Sequence, residues 1–372
     1  MFQNLSYLTK IIIFLIILDY LRTIMVRKTD LLKYSLSLAL AALLLFLSFR
    51  GVKWGDFLDA LRNCRWECIG VAMAAGVAAF WVRALRWRQL MEPIEEGIPR
   101  KSVFNAVNIS YLVNLALPRV GELVRCGVLA RHCRKAGYDR ILGTVVLERV
   151  WDVLMMFLLV ALLAAAMWGR FGQFFIDRII RPFSGRFNLS LWGFMLILLI
   201  LCAASVYALY KFRDRWKPFS AIWRFVTGLW SGAVSCFRMK RAWLFLIQSL
   251  VIWGLYWLMS ASVLWAVQGM DTAGLGSDVA DAVARLSGLG ATDALFLMLA
   301  GSLSSLVPVP GGFGAFHYIV AMALSSVYGI PFGIGIVFAT LSHESQTLTM
   351  ILCGGCSYVA ESVGFVSDSS RG

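Results

Sequence analysis

The chain has 372 residues, of which 60% are apolar and 15% charged, with a formal net charge of +14. Soluble domains carry roughly 25% charged residues, so this composition, with a mean hydropathy of +0.75, argues against a soluble globular enzyme. No stretch of roughly a hundred residues, the size of a small domain, is polar enough to fold as a separate soluble unit.

Apolar runs of about 17–25 residues recur along the chain, as in an all-α polytopic membrane protein. The charge is unevenly placed: residues 1–241 hold 33 of the 35 Lys and Arg, and residues 242–372 hold only Arg285 and Arg371 against seven acids. The basic residues flank hydrophobic runs. They read as positive-inside topology and attraction to anionic headgroups, and no nucleic-acid partner is expected. With three histidines in all (His132, His317 and His343), no metal site and no cofactor is expected. The pair Cys353-Gly-Gly-Cys356 lies in an apolar helix and reads as small-residue packing.

Taken in order, residues 1–24 are Ile-rich, interrupted by Lys10 and Asp19, and form neither a signal peptide nor a full span. Met25 is expected to be the physiological start, or residues 1–24 to be dispensable, with one transmembrane domain over 25–361 and a short polar tail over 362–372. A span is predicted at about 34–49. An amphipathic interfacial helix follows at 51–66, with Trp54, Phe57, Leu58 and Leu61 on one side. The next span, about 67–83, runs into Arg83, Arg86, Arg88, Arg100 and Lys101, which mark a cytoplasmic end. Residues 102–130 are apolar but broken at Pro118 and Gly121, with basic flanks on both sides. Such a segment is drawn as a re-entrant hairpin.

Further spans are predicted at about 141–168 and 188–210, then a basic surface helix over 211–241 with Trp216, Phe219, Trp223 and Trp230. Residues 242–267 cross outward, and 268–293 form an acidic external loop. A second hairpin over 294–328, entered from outside, breaks at Pro308, Pro310, Gly311, Gly312 and Gly314. Residues 331–354 return to a cytoplasmic C-terminus. The sum is about six full spans and two hairpins. The half-repeats, about 67–168 and 242–354, run in opposite orientations, the arrangement usual in secondary transporters.

The chemistry-bearing residues gather near the breaks. Glu122 and Arg125 share a face at i,i+3, and Glu148 and Asp152 share one at i,i+4 beside Arg149. Ionisable groups in apolar helices cost about 2.5–3.5 kcal/mol at the least, so they pair or line a polar cavity. Arg119 and Glu122, next to the helix-breaking Pro118, are expected in a cavity. Arg125 and Arg149 fit a cavity and a headgroup anchor equally well. A guanidinium is a natural partner for a lipid phosphate. In the second half, His343, Glu344 and Gln346 make an apolar span polar, and His317 lies one turn past the glycine break. No nucleophile with a positioned base, GxSxG, HExxH or P-loop is found, so no enzymatic activity is expected.

The pieces "FRGVKWGDFLDALRNCRW", "RALRWRQLM", "NLALPRVGELVR", "ERVWDV" and "PVPGGFGAFH" occur in an order that resembles the lysylphosphatidylglycerol synthase transmembrane-region family. That is the flippase-like domain of multiple-peptide-resistance-factor proteins, also found as stand-alone membrane proteins. The resemblance implies movement of a phospholipid or lipid-linked substrate between leaflets of the bacterial cytoplasmic membrane. It carries over onto Pro118, Gly121, Glu122 and Arg125, and onto Glu148, Arg149 and Asp152. The chain departs from it where Ala315-Phe316-His317-Tyr318 stands in place of a segment with an acid, and where "SHESQ" replaces an Arg. The partners implied are membrane phospholipids with anionic headgroups. The alternative is a membrane subunit that docks a lipid-modifying or glycosyltransferase enzyme encoded nearby, and a homo-oligomer is compatible with either.

Overall fold

The computed structural model describes residues 28–50, 52–167, 241–273 and 276–369, with Lys211 and Ser220 besides. Segment 1–24, the span drawn at 188–210 and the aromatic residues of the basic surface helix lie outside the described residues. The described helices are α1 (Lys28–Phe49), α2 (Trp54–Asn63), α3 (Trp66–Met91), α4 (Arg100–Ala116), α5 (Gly121–Ala130) and α6 (Tyr138–Ala166). After the gap come α7 (Ala242–Gln268), α8 (Ser277–Leu286), α9 (Ala291–Leu303), α10 (Ala315–Tyr328) and α11 (Phe332–Ser369). Among the described residues no strand is present. Among the described residues, helices α3, α6 and α7 are long and apolar enough to cross a membrane, or up to five spans if two bent helix pairs count as one each.

The centre of the fold is the packing of α3 along α7. Ala72, Ala75, Gly76 and Ala79 recur at helical spacing on the buried face of α3, and their small side chains let α7 approach closely. The apolar faces of α3 and α7 continue into a core with Leu297, Val320, Leu324, Val337 and Phe338. Helix α2 turns 89° from α1 and buries Phe57 and Ala60, while Trp54 and Leu58 stay exposed. The four apolar side chains expected on one side of this helix therefore divide between core and surface.

Both segments are interrupted at the proline and glycine positions. Helices α4 and α5 fold back on each other across Leu117–Val120, where Arg119 takes φ +66°, the one non-glycine residue with positive φ among those described. The second break is built from two 3-10 turns, Ser304–Leu306 and Pro310–Gly312, with Gly311, Gly312 and Gly314 in the left-handed region that side chains rarely adopt. The arms on either side, α9 with 13 residues and α10 with 14, are about 20 Å long. A bilayer core is about 30 Å thick, so neither arm crosses it alone.

Helix contacts within and between the halves come in matched pairs: α3 with α4 and α7 with α9, α5 with α6 and α10 with α11 within them, α4 with α11 and α9 with α6 between them. The close approach of α4 and α11 uses Gly354, where a Cβ would meet Leu112 Cβ at 2.6 Å. This is the small-residue packing expected at Cys353-Gly-Gly-Cys356.

Three sequence expectations need correction. Helix α3 runs on to Met91, with Arg83 4% and Arg86 0% exposed, so these two arginines are not a cytoplasmic flank. Their charges stay inside because carboxylates on α6 meet them. The acidic loop 268–293 contains α8, whose Val279, Ala282, Val283 and Leu286 are buried, and buried Asp293 caps Gly290 N at 2.8 Å and accepts from Tyr328 Oη at 2.9 Å. The tail drawn from 362 continues α11 to Ser369.

One loop contact carries a pH dependence. Glu95 accepts from Lys135 N at 2.7 Å and Ala136 N at 3.0 Å, tying the α3–α4 connection to the α5–α6 loop. The Lys135 N–H holds this carboxyl below its ordinary value of 4.5. A lowered folded-state value means the tie is fully present above 4.5 and is lost as pH falls through the folded value. Protection factors of the Lys135 and Ala136 amides are expected to drop over that window. Glu95→Ala should lower them already at pH 7, and unchanged protection in the variant would remove the tie.

Candidate functional site

Carboxylates of α6 and guanidinium groups of α3 and α5 form one buried network. Glu148, fully buried, lies 2.8 Å from Arg83 Nε, 3.3 Å from an Arg86 amino group and 2.7 Å from an Arg125 amino group. Asp152, one turn on, accepts from Arg83 and, at 2.5 Å, from Arg86. At the network's more open side Arg149 donates to Glu122 at 3.0 Å. Arg125 lies over the Trp87 ring at 4.6 Å and Arg86 over the Phe245 ring at 5.6 Å, so the cations are walled by aromatic faces. Helix α7 joins through Ser249 Oγ, 3.2 Å from Arg86, and Tyr256 Oη, 2.9 Å from Arg83.

Each member is where it is for a local reason. Arg83 and Arg86 lie three apart on α3, and Glu148 and Asp152 lie four apart on α6, so each pair shares one helical face. Arg125 and Glu122 are aimed by the α4–α5 break. Gly121 N donates to Asn114 Oδ1 at 2.8 Å, and Asn114 Nδ2 reaches Glu122 at 3.4 Å. Four guanidinium groups face three carboxylates, leaving one positive charge in excess within the network.

Beside it lies a cavity of about 300 Å³ between α3, α4, α7, α9 and α11, floored by the glycine tip. Its polar lining includes Tyr111, Tyr256, Ser304, Ser342, His343 and Gln346, with Gly311 and Gly312 contributing backbone. Tyr256 is common to both features: it lines the cavity and accepts from Arg83.

The structure brings together Glu122, Arg125, Glu148, Arg149 and Asp152, and separately places His343 and Gln346 at the cavity. Arg119 is corrected: it stands exposed at the turn, where it takes φ +66°, and Glu122 pairs with Arg149 instead. Glu344 is half exposed and does not line the cavity. His317 is buried against Phe49 and Phe316. Sequence reasoning missed Arg83, Arg86 and Tyr256. Two arginines spaced i,i+3 inside a helix that continues beyond them was the signal available for the first two.

A helical membrane protein with paired buried charges beside a polar cavity belongs to the class of membrane domains that handle polar or charged groups within the bilayer. More particularly, the chain belongs to the family described as the lysylphosphatidylglycerol synthase TM region, whose model matches residues 34–354. No curated protein and no solved structure matches the chain.

Proposed function

We propose that the chain moves a phosphate-bearing anionic lipid between leaflets of the bacterial cytoplasmic membrane, without any covalent step. The observation that carries this reading is the excess positive charge of the network, connected through Tyr256 to a cavity between the two halves. The one guanidinium in excess of carboxylates in the network matches a lipid phosphate, which accepts bidentate hydrogen bonds. Arg149 is the member best placed to meet it, since its side chain is 42% exposed while Arg86 and Arg125 are enclosed. The two broken hairpins and the matched helix contacts support an inverted-repeat transporter, in which irregular backbone is tolerated where it lines a cavity. Family membership supports a lipid-related role.

The test is transbilayer exchange of fluorescent lipids in vesicles holding the purified chain, read with a leaflet-specific quencher. Anionic lipids should exchange faster than in empty vesicles. Exchange equal to empty vesicles for every lipid class, with protein that is folded and inserted, would sink the proposal. A lipid-modifying enzyme that co-purified in that case would favour the docking alternative. Arg149→Gln is expected to slow exchange of anionic lipid about tenfold, the loss of one charge-assisted hydrogen bond. Its melting temperature should stay close to that of the wild type because the side chain is half exposed. An unchanged rate removes Arg149 from the path.

A further inference from the structure

His317 on α10 and His343 with Glu344 on α11 form a cluster that the charge network does not use. One ligand atom from each lies within 4.8 Å of the others. His343 Nδ1 is 3.2 Å from Glu344 Oε1, and His317 Nε2 is 3.8 Å from the same oxygen. The second nitrogen of His343, Nε2, lies 2.9 Å from the carbonyl oxygen of Gly311 in the glycine tip. A carbonyl oxygen only accepts, so Nε2 carries the proton, and a neutral ring then turns the lone pair of Nδ1 toward the carboxylate. Two electron-rich atoms at that separation repel unless a cation lies between them.

A proton on Nδ1 relieves His343 alone. It leaves His317 unexplained: this ring is 2% exposed, and 3.8 Å is too long for a hydrogen bond from Nε2 to Glu344. An ion between the three atoms engages all of them. Tetrahedral bonds of about 2.0–2.1 Å separate ligand atoms by roughly 3.3 Å; the two edges to Glu344 Oε1 are 3.2 and 3.8 Å, and the three atoms, within 4.8 Å of one another, draw together as the ion binds. Metal-bound histidines also habitually donate their other N–H to a backbone carbonyl, as His343 does to Gly311.

We infer that His317 Nε2, His343 Nδ1 and Glu344 Oε1 form a binding site for a divalent transition metal ion of the zinc class. Three protein ligands leave a coordination position for water or an anionic oxygen. The site lies eleven residues into α11, about 16 Å along its axis, and the 46% exposed Glu344 side chain gives the ion access. There the ion clamps the helix after the glycine tip to α11, and it neutralises a carboxylate otherwise costly in an apolar layer. This inference departs from the expectation of no metal site. The histidines are 26 residues apart in the chain, on helices that only the fold brings together.

The experiment is a Co²⁺ titration of the full chain in detergent after chelator treatment, followed by visible absorption. One ion per chain should bind with the bands of four-coordinate cobalt, be displaced by Zn²⁺, and bind at least tenfold more weakly in His343→Gln and in Glu344→Gln. No uptake by the wild type overturns the site, whether or not the variants fold. So does an intense thiolate charge-transfer band, which would place the ion on cysteines, or equal uptake by folded variants. Because the readout is metal binding in detergent, its failure leaves the lipid-transport reading standing, and the reverse also holds.

Discussion

Glu148→Gln is expected to destabilise the detergent-solubilised protein by about 3–5 kcal/mol, the cost of breaking a buried ion pair from one side. Three guanidinium groups converge on this carboxylate, all of them 5% exposed or less. Neutralising it leaves Arg83 and Arg86 enclosed with Asp152 as their remaining close acid, and Arg125 enclosed with none. The melting temperature by fluorescence-detected size exclusion is the measurement. The companion Arg125→Gln removes the cation whose only carboxylate partner in the network is Glu148. Combined in one chain, the two changes should cost about 0.5–3 kcal/mol less than the sum of the singles. Strict additivity would show that the pair does not interact, and would take the network apart as the organising feature of the site.

Gly121→Ala is also expected to destabilise the protein, for a steric reason. The added Cβ would lie 2.0 Å from Ser110 O and 2.7 Å from the Asn114 side chain. Backbone is on one side of the clash, so α4 and α5 must separate, and overpacking of this kind costs about 1–3 kcal/mol. The displaced helix carries Glu122 and Arg125, so exchange should slow along with the loss of stability. Gly127→Ala on the same helix is the control, because a Cβ there meets nothing within 4 Å. It should be neutral or slightly stabilising, as Gly→Ala in a helix commonly is. Matching losses for both variants would mean that helix α5 is weak in general and that the contact at Gly121 has no special place.

Hydropathy made α3, α6 and α7 legible, since lipid leaves a span few ways to be polar. Proline and glycine made both breaks legible, because Pro118 and the glycines at 311–314 have backbone requirements that no helix interior meets. The acids of α6 were legible from i,i+4 spacing. What stayed hidden depended on partners far away in the chain. Arg83 and Arg86 reach Asp152 across 69 and 66 residues, and from sequence such arginines look like charges waiting at a membrane surface. Asp293 looked like an external acid for the same reason, and its capping of α9 needs only three residues of spacing but a tertiary partner in Tyr328. Sequence gives the inventory of charges; pairing across helices decides which of them are buried.

The unequal count of guanidinium and carboxylate groups has a kinetic consequence under the proposed function. A conformational stroke made with lipid phosphate in place moves an electrically balanced unit. A return stroke made without it carries a bare positive charge through apolar surroundings, where an unpaired ion costs several kcal/mol. At 1.4 kcal/mol per factor of ten, that slows the unloaded return by orders of magnitude. Such a carrier works by counterexchange, one anionic lipid outward for one inward. It equilibrates the two leaflets quickly when both hold anionic lipid, and it stalls when only one does.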